Sequence, residues 1–193
     1  GSVQLQVGAT EIGQGADTVF SQMAAETLHM DISRVHIVTQ QDTDVTPFDT
    51  GAYASRQSFV TGTAVKECAQ QLKQKILEYA RTLVPGNVDR LELEDGYILA
   101  DGKPAISLED LAMESYYSLS NSSVLTAEVS RQVKKNTVAS GCCFAEVEVD
   151  MKLGKIKVLD IVNVHDSGTF LNPQLAAMQV HGGMFIGNRL WSF

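Results

Sequence analysis

The 193-residue chain has no apolar run near the roughly 18 residues that cross a bilayer as a helix, which excludes a helical membrane span. Basic residues are scarce. Against 23 Asp and Glu there are only 15 Lys and Arg, a formal charge of −8, and a broad nucleic-acid surface needs clustered cations. Any phosphate would therefore be gripped locally. Cysteine is limited to Cys68, Cys142 and Cys143, at spacings that fit no zinc pattern. Neighbours in a strand point to opposite faces, so Cys142 and Cys143 are not expected to pair; all three read as buried small residues in a reducing compartment. The N-terminus shows no basic-then-apolar leader, so the expected setting is cytoplasmic. No Gly-x-Ser-x-Gly elbow, Walker loop or His-Glu-x-x-His pair occurs, which removes three hydrolytic and phosphate-binding chemistries. His165-Asp166-Ser167 holds the residue types of a triad, but three chain neighbours cannot stack nucleophile, base and orienter in line.

What is present starts with Thr10-Glu11-Ile12-Gly13-Gln14-Gly15-Ala16-Asp17. Val3-Gln4-Leu5-Gln6-Val7 alternates apolar and polar, the pattern of a half-buried strand. After the glutamine loop, Val19, Phe20, Met23, Ala24 and Leu28 recur at helical spacing from Asp17 to Met30, with Asp17 in the first turn. The loop thus joins strand to helix. Gly13 and Gly15 allow positive φ and close approach, Gln14 carries a donor and an acceptor, and N–H groups at a helix start favour an anion or an electron-rich heterocycle.

Arg34-Val35-His36-Ile37-Val38 reads as a second strand. Residues 40 to 61 show no clean period, and a long irregular segment in a compact domain is usually functional or mobile. Past Gly62, Val65, Cys68, Ala69, Leu72, Ile76, Ala80 and Leu83 mark one helix face, ended by Pro85-Gly86. Leu91-Glu92-Leu93 and Tyr97-Ile98-Leu99 flank the hairpin signal Asp95-Gly96, and Asp101-Gly102 closes that unit. Leu108 to Leu119 reads as a helix capped by Ser107, and 120 to 137 as an extended connection. In the next strand Glu146, Glu148 and Asp150 form a carboxylate row that Lys155 and Lys157 can meet across the Lys152-Leu153-Gly154 turn, so the row reads as a hairpin face rather than a metal site. Asn172-Pro173 starts the last helix, where Gly182, Gly183 and Gly187 leave one face bare. His29, His36 and His181 read as structural. The fold class expected from this order is α+β, with mixed strands and hairpins packed with several helices.

The second conspicuous segment is Thr46-Pro47-Phe48-Asp49-Thr50-Gly51-Ala52-Tyr53-Ala54-Ser55-Arg56. Its small residues let backbone N–H groups form a concave nest, and Ser55, Arg56 and Gln57 add donors for phosphate oxygens. A polar surface loop is the competing reading. With the glutamine loop, Ser140-Gly141-Cys142-Cys143 leading into Glu146-Val147-Glu148-Val149-Asp150, and Asn172-Pro173 followed by Gln179-Val180-His181-Gly182-Gly183, the chain resembles the molybdenum-binding subunit of the xanthine dehydrogenase and aldehyde oxidase family of molybdenum hydroxylases. The likeness runs from about residue 1 to 193 and is strongest to the bacterial type, in which this is a separate chain.

The resemblance implies a molybdenum cofactor-binding domain fold with two parts, a strand-loop-helix cofactor half over 1–84 and a hairpin, connection and second cofactor-contacting helix over 85–193. Ile12, Gly13, Gln14 and Gly15 would contact the pterin of molybdopterin. Ala52, Ala54 and Ser55 would lie beside the molybdenum and the pterin phosphate, Tyr53 and Ala54 near the substrate entrance, and Gln179 near the cofactor. Arg56 and Gln57 would suit a cytosine dinucleotide form. No protein ligand to the metal is expected, because the dithiolene of the cofactor holds molybdenum. The parent enzyme would hydroxylate purines, other N-heterocycles or aldehydes with water as oxygen source, passing electrons to FAD and 2Fe-2S groups on partner subunits or domains. Departures matter equally. The general-base glutamate of the family would lie downstream of Phe193, and the upstream glutamine and arginine loop are also missing, so a fragment without turnover is expected. Glu11 is no substitute base, since it falls in the cofactor loop. Gly1-Ser2 fits either a tag remnant or the family's Asp-Gly-Ser before this strand. The other reading is a non-catalytic nucleotide-binding or subunit-assembly module.

Overall fold

The structure, a computed structural model, describes every residue except 39, 136 and 190–193, and for 188 and 189 the backbone alone. The terminal Trp191-Ser192-Phe193 lie outside the described residues. The chain divides by contact into two compact units, Gly1–Lys135 and Asn136–Phe193. This division differs from the sequence division at 84/85, since the helix Gln57–Leu83 packs on the strand Leu91–Glu94 within the first unit.

In the first unit β1 (Val3–Gln6) runs through the glutamine loop into α1 (Ala16–Leu28), then through a 3-10 turn (Ile32–Arg34) into β2 (Val35–Val38). β1 and β2 pair in parallel, Val3 opposite Val35 and Leu5 opposite Ile37, as a strand-helix-strand crossover requires. Asp31 caps the 3-10 turn, its carboxylate accepting from the Ser33 amide at 2.8 Å. α2 (Gln57–Leu83) starts earlier than its periodicity suggests. Gly62, read from sequence as its boundary, lies inside it as a contact with α1: a Cβ there would meet Met23 Sδ at 2.8 Å. Absence of a side chain is what lets the two helices close.

The hairpin β3 (Leu91–Glu94) and β4 (Tyr97–Ala100) turns at Asp95-Gly96, φ 45° and 77°, the doubly left-handed turn that matches strand twist. Asp101-Gly102 repeats that turn, φ 49° and 78°, and leads into a third strand, β5 (Lys103–Ser107). This corrects the expectation that the dipeptide ends the unit. Pro104 masked the strand, and it is tolerated because β5 lies at the edge of the order β3-β4-β5. Ser107 then caps α3 (Leu108–Tyr117), accepting from the Asp110 amide at 3.0 Å. Phe20, Leu28, Leu93, Ile98 and Leu111 are fully buried where α1, α2, α3 and the hairpin meet. His29 closes α1 in a left-handed conformation, with Nδ1 2.8 Å from Glu94 Oε2 and its carbonyl accepting from Asp95.

In the second unit β6 (Ser140–Asp150) and β7 (Lys155–Asp166) form an antiparallel ribbon, and α4 (Pro173–Arg189) follows, with Asn172 accepting from the Leu175 amide at 3.1 Å. The register sets Glu148 opposite Lys157 and Asp150 opposite Lys155, as the hairpin reading requires, whereas Glu146 faces Asp160 beside a bulge. Cys142 and Cys143 are exposed and Cys68 half-buried, against the expectation of three buried thiols. Among the described residues this ribbon is two strands wide. Gly182, Gly183 and Gly187 meet nothing within 4 Å at an added Cβ.

Candidate functional site

The glutamine loop is built around Glu11. Its Oε1 accepts from the Gly13 and Gly15 amides at 2.7 and 3.0 Å, and its Oε2 from the Asp17 amide at 3.0 Å. Burial by itself would raise the pKa of this carboxyl. The N–H groups of Asp17, Gly15, Gly13 and Ala16 outweigh burial and hold it below the usual glutamate range. Asp17 moves the other way, raised by burial and then by the neighbouring Glu11 charge. The sequence expectation that the start of α1 offers free N–H groups to an anion is therefore corrected: the anion there is the side chain of Glu11. That role follows from a short turn, Gly13 at φ 96° and Gly15 at φ 86°, folding the carboxylate back onto the helix entrance.

Gln14 is equally committed. Its Oε1 accepts from the Ile12 amide at 2.7 Å, while Nε2 donates to the Thr10 carbonyl at 3.0 Å and to Gln57 Oε1 at 2.5 Å. Gln57, 7% exposed, returns a bond from Nε2 to the same Thr10 carbonyl at 3.2 Å. Two segments some forty residues apart thus share one amide network. The orientation of both amides follows from it, because the Ile12 N–H demands an acceptor and the Thr10 carbonyl demands donors. Both Nε2 hydrogens of Gln14 are used, so what remains toward a ligand is the second lone pair of Oε1. Beside it Ile12 is 67% exposed, and an added Cβ at Gly13 would meet nothing within 4 Å.

The second segment is held by Asp49, which the sequence reading did not single out. Asp49 Oδ1 accepts from the Gly51 amide at 2.7 Å and from Arg56 Nη1 at 3.0 Å, and Oδ2 from Thr61 Oγ1 at 3.1 Å. Its signal was local: aspartate two residues before glycine is an Asx turn. Arg56 Nη1 also donates to the Gly51 carbonyl at 3.0 Å, and the guanidinium carbon lies 5.4 Å from the Tyr53 ring. This arginine, read from sequence as a phosphate donor, spends Nη1 on closing its own loop. Ala54 and Ser55 sit at φ 51° and 53°, a strained conformation for residues with a Cβ, and strain of this kind gathers where a ligand is held. Tyr53, Ala54 and Ser55 are exposed and Ala52 half-buried.

The structure therefore brings Ile12, Gly13, Gln14, Gly15 and Gln57 together, with Ala52 to Arg56 leading directly into Gln57. Gln179 stands exposed on α4 in the second unit. Among the described residues no cluster of three or more His, Cys, Asp or Glu could hold a metal ion. No described helix is long and apolar enough to cross a membrane.

A strand-loop-helix entrance tied through paired amides to a strained small-residue loop sits within an α+β domain. The chain belongs to the molybdopterin cofactor-binding domain family, whose model matches residues 1–190. It is 48% identical over 190 residues to the xanthine dehydrogenase molybdenum-binding subunit of Escherichia coli O157:H7, covering 97% of this chain and 25% of that protein. Similarity to the nicotine 6-hydroxylase large subunit of Paenarthrobacter nicotinovorans is 25% over 194 residues, 97% of this chain and 24% of the relative. Among solved structures, the Cu,Mo-CO dehydrogenase in its carbon-monoxide-reduced state superposes with a TM-score of 0.78 at 28% identity, covering 95% of this chain and 23% of that one. The chain thus spans about a quarter of the length of the relatives it matches. The family match makes this a molybdopterin cofactor-binding domain, and nothing among these relatives supports a stand-alone nucleotide-binding or assembly module.

Proposed function

We propose that residues 12–15 and 52–57 form one wall of a molybdopterin cradle in a longer molybdenum hydroxylase subunit of xanthine dehydrogenase type. The observation that carries this is the Gln14–Gln57 amide contact, which joins the two segments at one place. The residues fit a flat polar heterocycle. Gly13 leaves the approach open, Ile12 offers an apolar edge, and Gln14 Oε1 accepts from a ring N–H. Ala52, Ala54 and Ser55 line the place for the phosphate, and Gln57 orients Gln14. With α1 already capped by Glu11, the pyrophosphate of a cytosine dinucleotide form falls to the 52–57 segment, where Arg56 fixes the loop that presents these groups. Gln179, in the part spanning 85–193, is a further cofactor contact, Tyr53 and Ala54 border the substrate path, and the proton-moving glutamate belongs to the longer subunit downstream of Phe193.

When bound, the cofactor supplies the molybdenum redox centre for water-dependent hydroxylation of a purine, another N-heterocycle or an aldehyde. FAD and 2Fe-2S partners would take the electrons, and the cell compartment is the cytoplasm. The test is Gln14→Ala in the full-length subunit, with molybdenum, pterin and cytidine nucleotide content measured by elemental and nucleotide analysis. Loss of all three together is expected. Unchanged occupancy refutes the cradle.

A further inference from the structure

A cavity of 1180 Å³ opens beside β1 rather than over the glutamine loop. Gly1 through Gly8 line it without a gap. A strand that turned only one face to a cavity would contribute every second residue, because side chains alternate, so unbroken lining means that the backbone edge of β1 faces it. Among the described residues β1 pairs with β2 alone. Parallel strands normally lie inside larger sheets, and an open edge is a row of unpaired N–H and C=O groups. The opposite wall is α2, with Val65, Ala69, Leu72 and Ile76, together with the extended strap 122–131. That strap is fixed to α2 rather than to β1: Lys75 Nζ donates to the Thr126 carbonyl at 2.6 Å, Cys68 Sγ to the Ala127 carbonyl at 3.2 Å, and Arg131 pairs with Glu67.

We propose that this slot receives a β-strand from the same subunit, supplied by residues outside 1–193 and hydrogen-bonded along the free edge of β1. The inference rests on the reading of the chain as part of a longer subunit, and the relatives, about four times its length, carry ample chain for it. The chemistry of the strand is set by β1 itself. Val3 and Leu5 pack against the core while Gln4 and Gln6 are exposed, so the incoming strand is apolar at alternate positions on the core side and polar on the other. β1 leads within a few residues to Thr10, whose carbonyl anchors both Gln14 and Gln57. A third strand therefore steadies the base of the cradle.

Residue-resolved amide hydrogen exchange on the full-length subunit tests this. With β2 as sole partner, the amides from Val3 to Val7 alternate between slow and fast exchange. With an added strand the fast set slows on the order of 100-fold or more, at every protein concentration and without partner subunits. Persisting alternation overturns the proposal. Protection that appears only at high concentration assigns the edge to a second copy, and protection that needs partner subunits assigns it to them; either result also overturns it. A reading frame that adds nothing to residues 1–193 defeats the longer-subunit reading separately, before exchange is measured.

Discussion

Glu11→Gln tests the internal cap of the cofactor loop. In the native loop three amides point at the Glu11 carboxylate, at 2.7, 3.0 and 3.0 Å. Glutamine keeps one oxygen, which can still serve Gly13 and Gly15 as a neutral acceptor, but sets an NH2 against the Asp17 N–H. One charge-assisted bond, worth about 1.5–3 kcal/mol, is lost, along with about 0.3–1 kcal/mol of favourable charge at a helix start. Relief of Asp17, whose pKa the Glu11 charge raises, returns part of this. Solvent screening at a half-exposed carboxylate trims the rest, leaving a net loss of about 2 kcal/mol. Urea unfolding at pH 7 reads it as a lower midpoint at unchanged slope. The pH dependence has a definite sign. The folded pKa of Glu11 lies below its ordinary 4.5, so its contribution is complete above that value and drains away as pH falls through the depressed folded value. The native and variant curves must converge in acid. A difference under about 0.5 kcal/mol at pH 7, or a gap that stays constant into acid, refutes the cap.

Arg56→Lys cannot span Asp49, the Gly51 carbonyl and the Tyr53 ring together; the loop around 49–56 is expected to loosen, cleave faster under limited proteolysis, and cost about 1–2 kcal/mol. Gly8→Ala drives a Cβ into the Pro47 carbonyl oxygen, so the strand or the loop must shift, at about 1–3 kcal/mol in denaturant unfolding. Phe20→Ala empties the contact between α1 and α2 and should lose about 3–5 kcal/mol by the same assay. Tyr79→Phe removes a buried hydroxyl without a partner among the described residues, and is expected to leave stability unchanged or raise it by up to about 1 kcal/mol.

Much of the fold could be read directly from the chain. β1, α1, β2, the β3–β4 hairpin, the Ser107 cap and the start of α4 all rest on interactions within a few residues: alternation, helical spacing, Asp-Gly turns and Asn-Pro entry. Such signals survive without knowledge of neighbours. The elements missed were those whose local signal is contradicted by a distant partner. The helical face is legible only past Gly62 until Met23 is seen against that glycine, and Asp101-Gly102 reads as the end of its unit until β5 is seen beyond it as an edge strand. Cys142 and Cys143 read as core until the ribbon is seen to be two strands wide.

The site divides along the same line. The order of the four motifs pointed to the ligand class through the family they resemble, whereas glycine, glutamine and the small-residue run taken singly implied only loops able to hold a polar group. How those groups are spent was decided only by tertiary structure. Glu11 fills the helix entrance, Gln57 consumes a donor of Gln14, and Asp49 takes an Arg56 nitrogen. Each of these is a competition among hydrogen-bonding groups within about 3 Å, and a sequence records which groups exist but not which partner reaches them first.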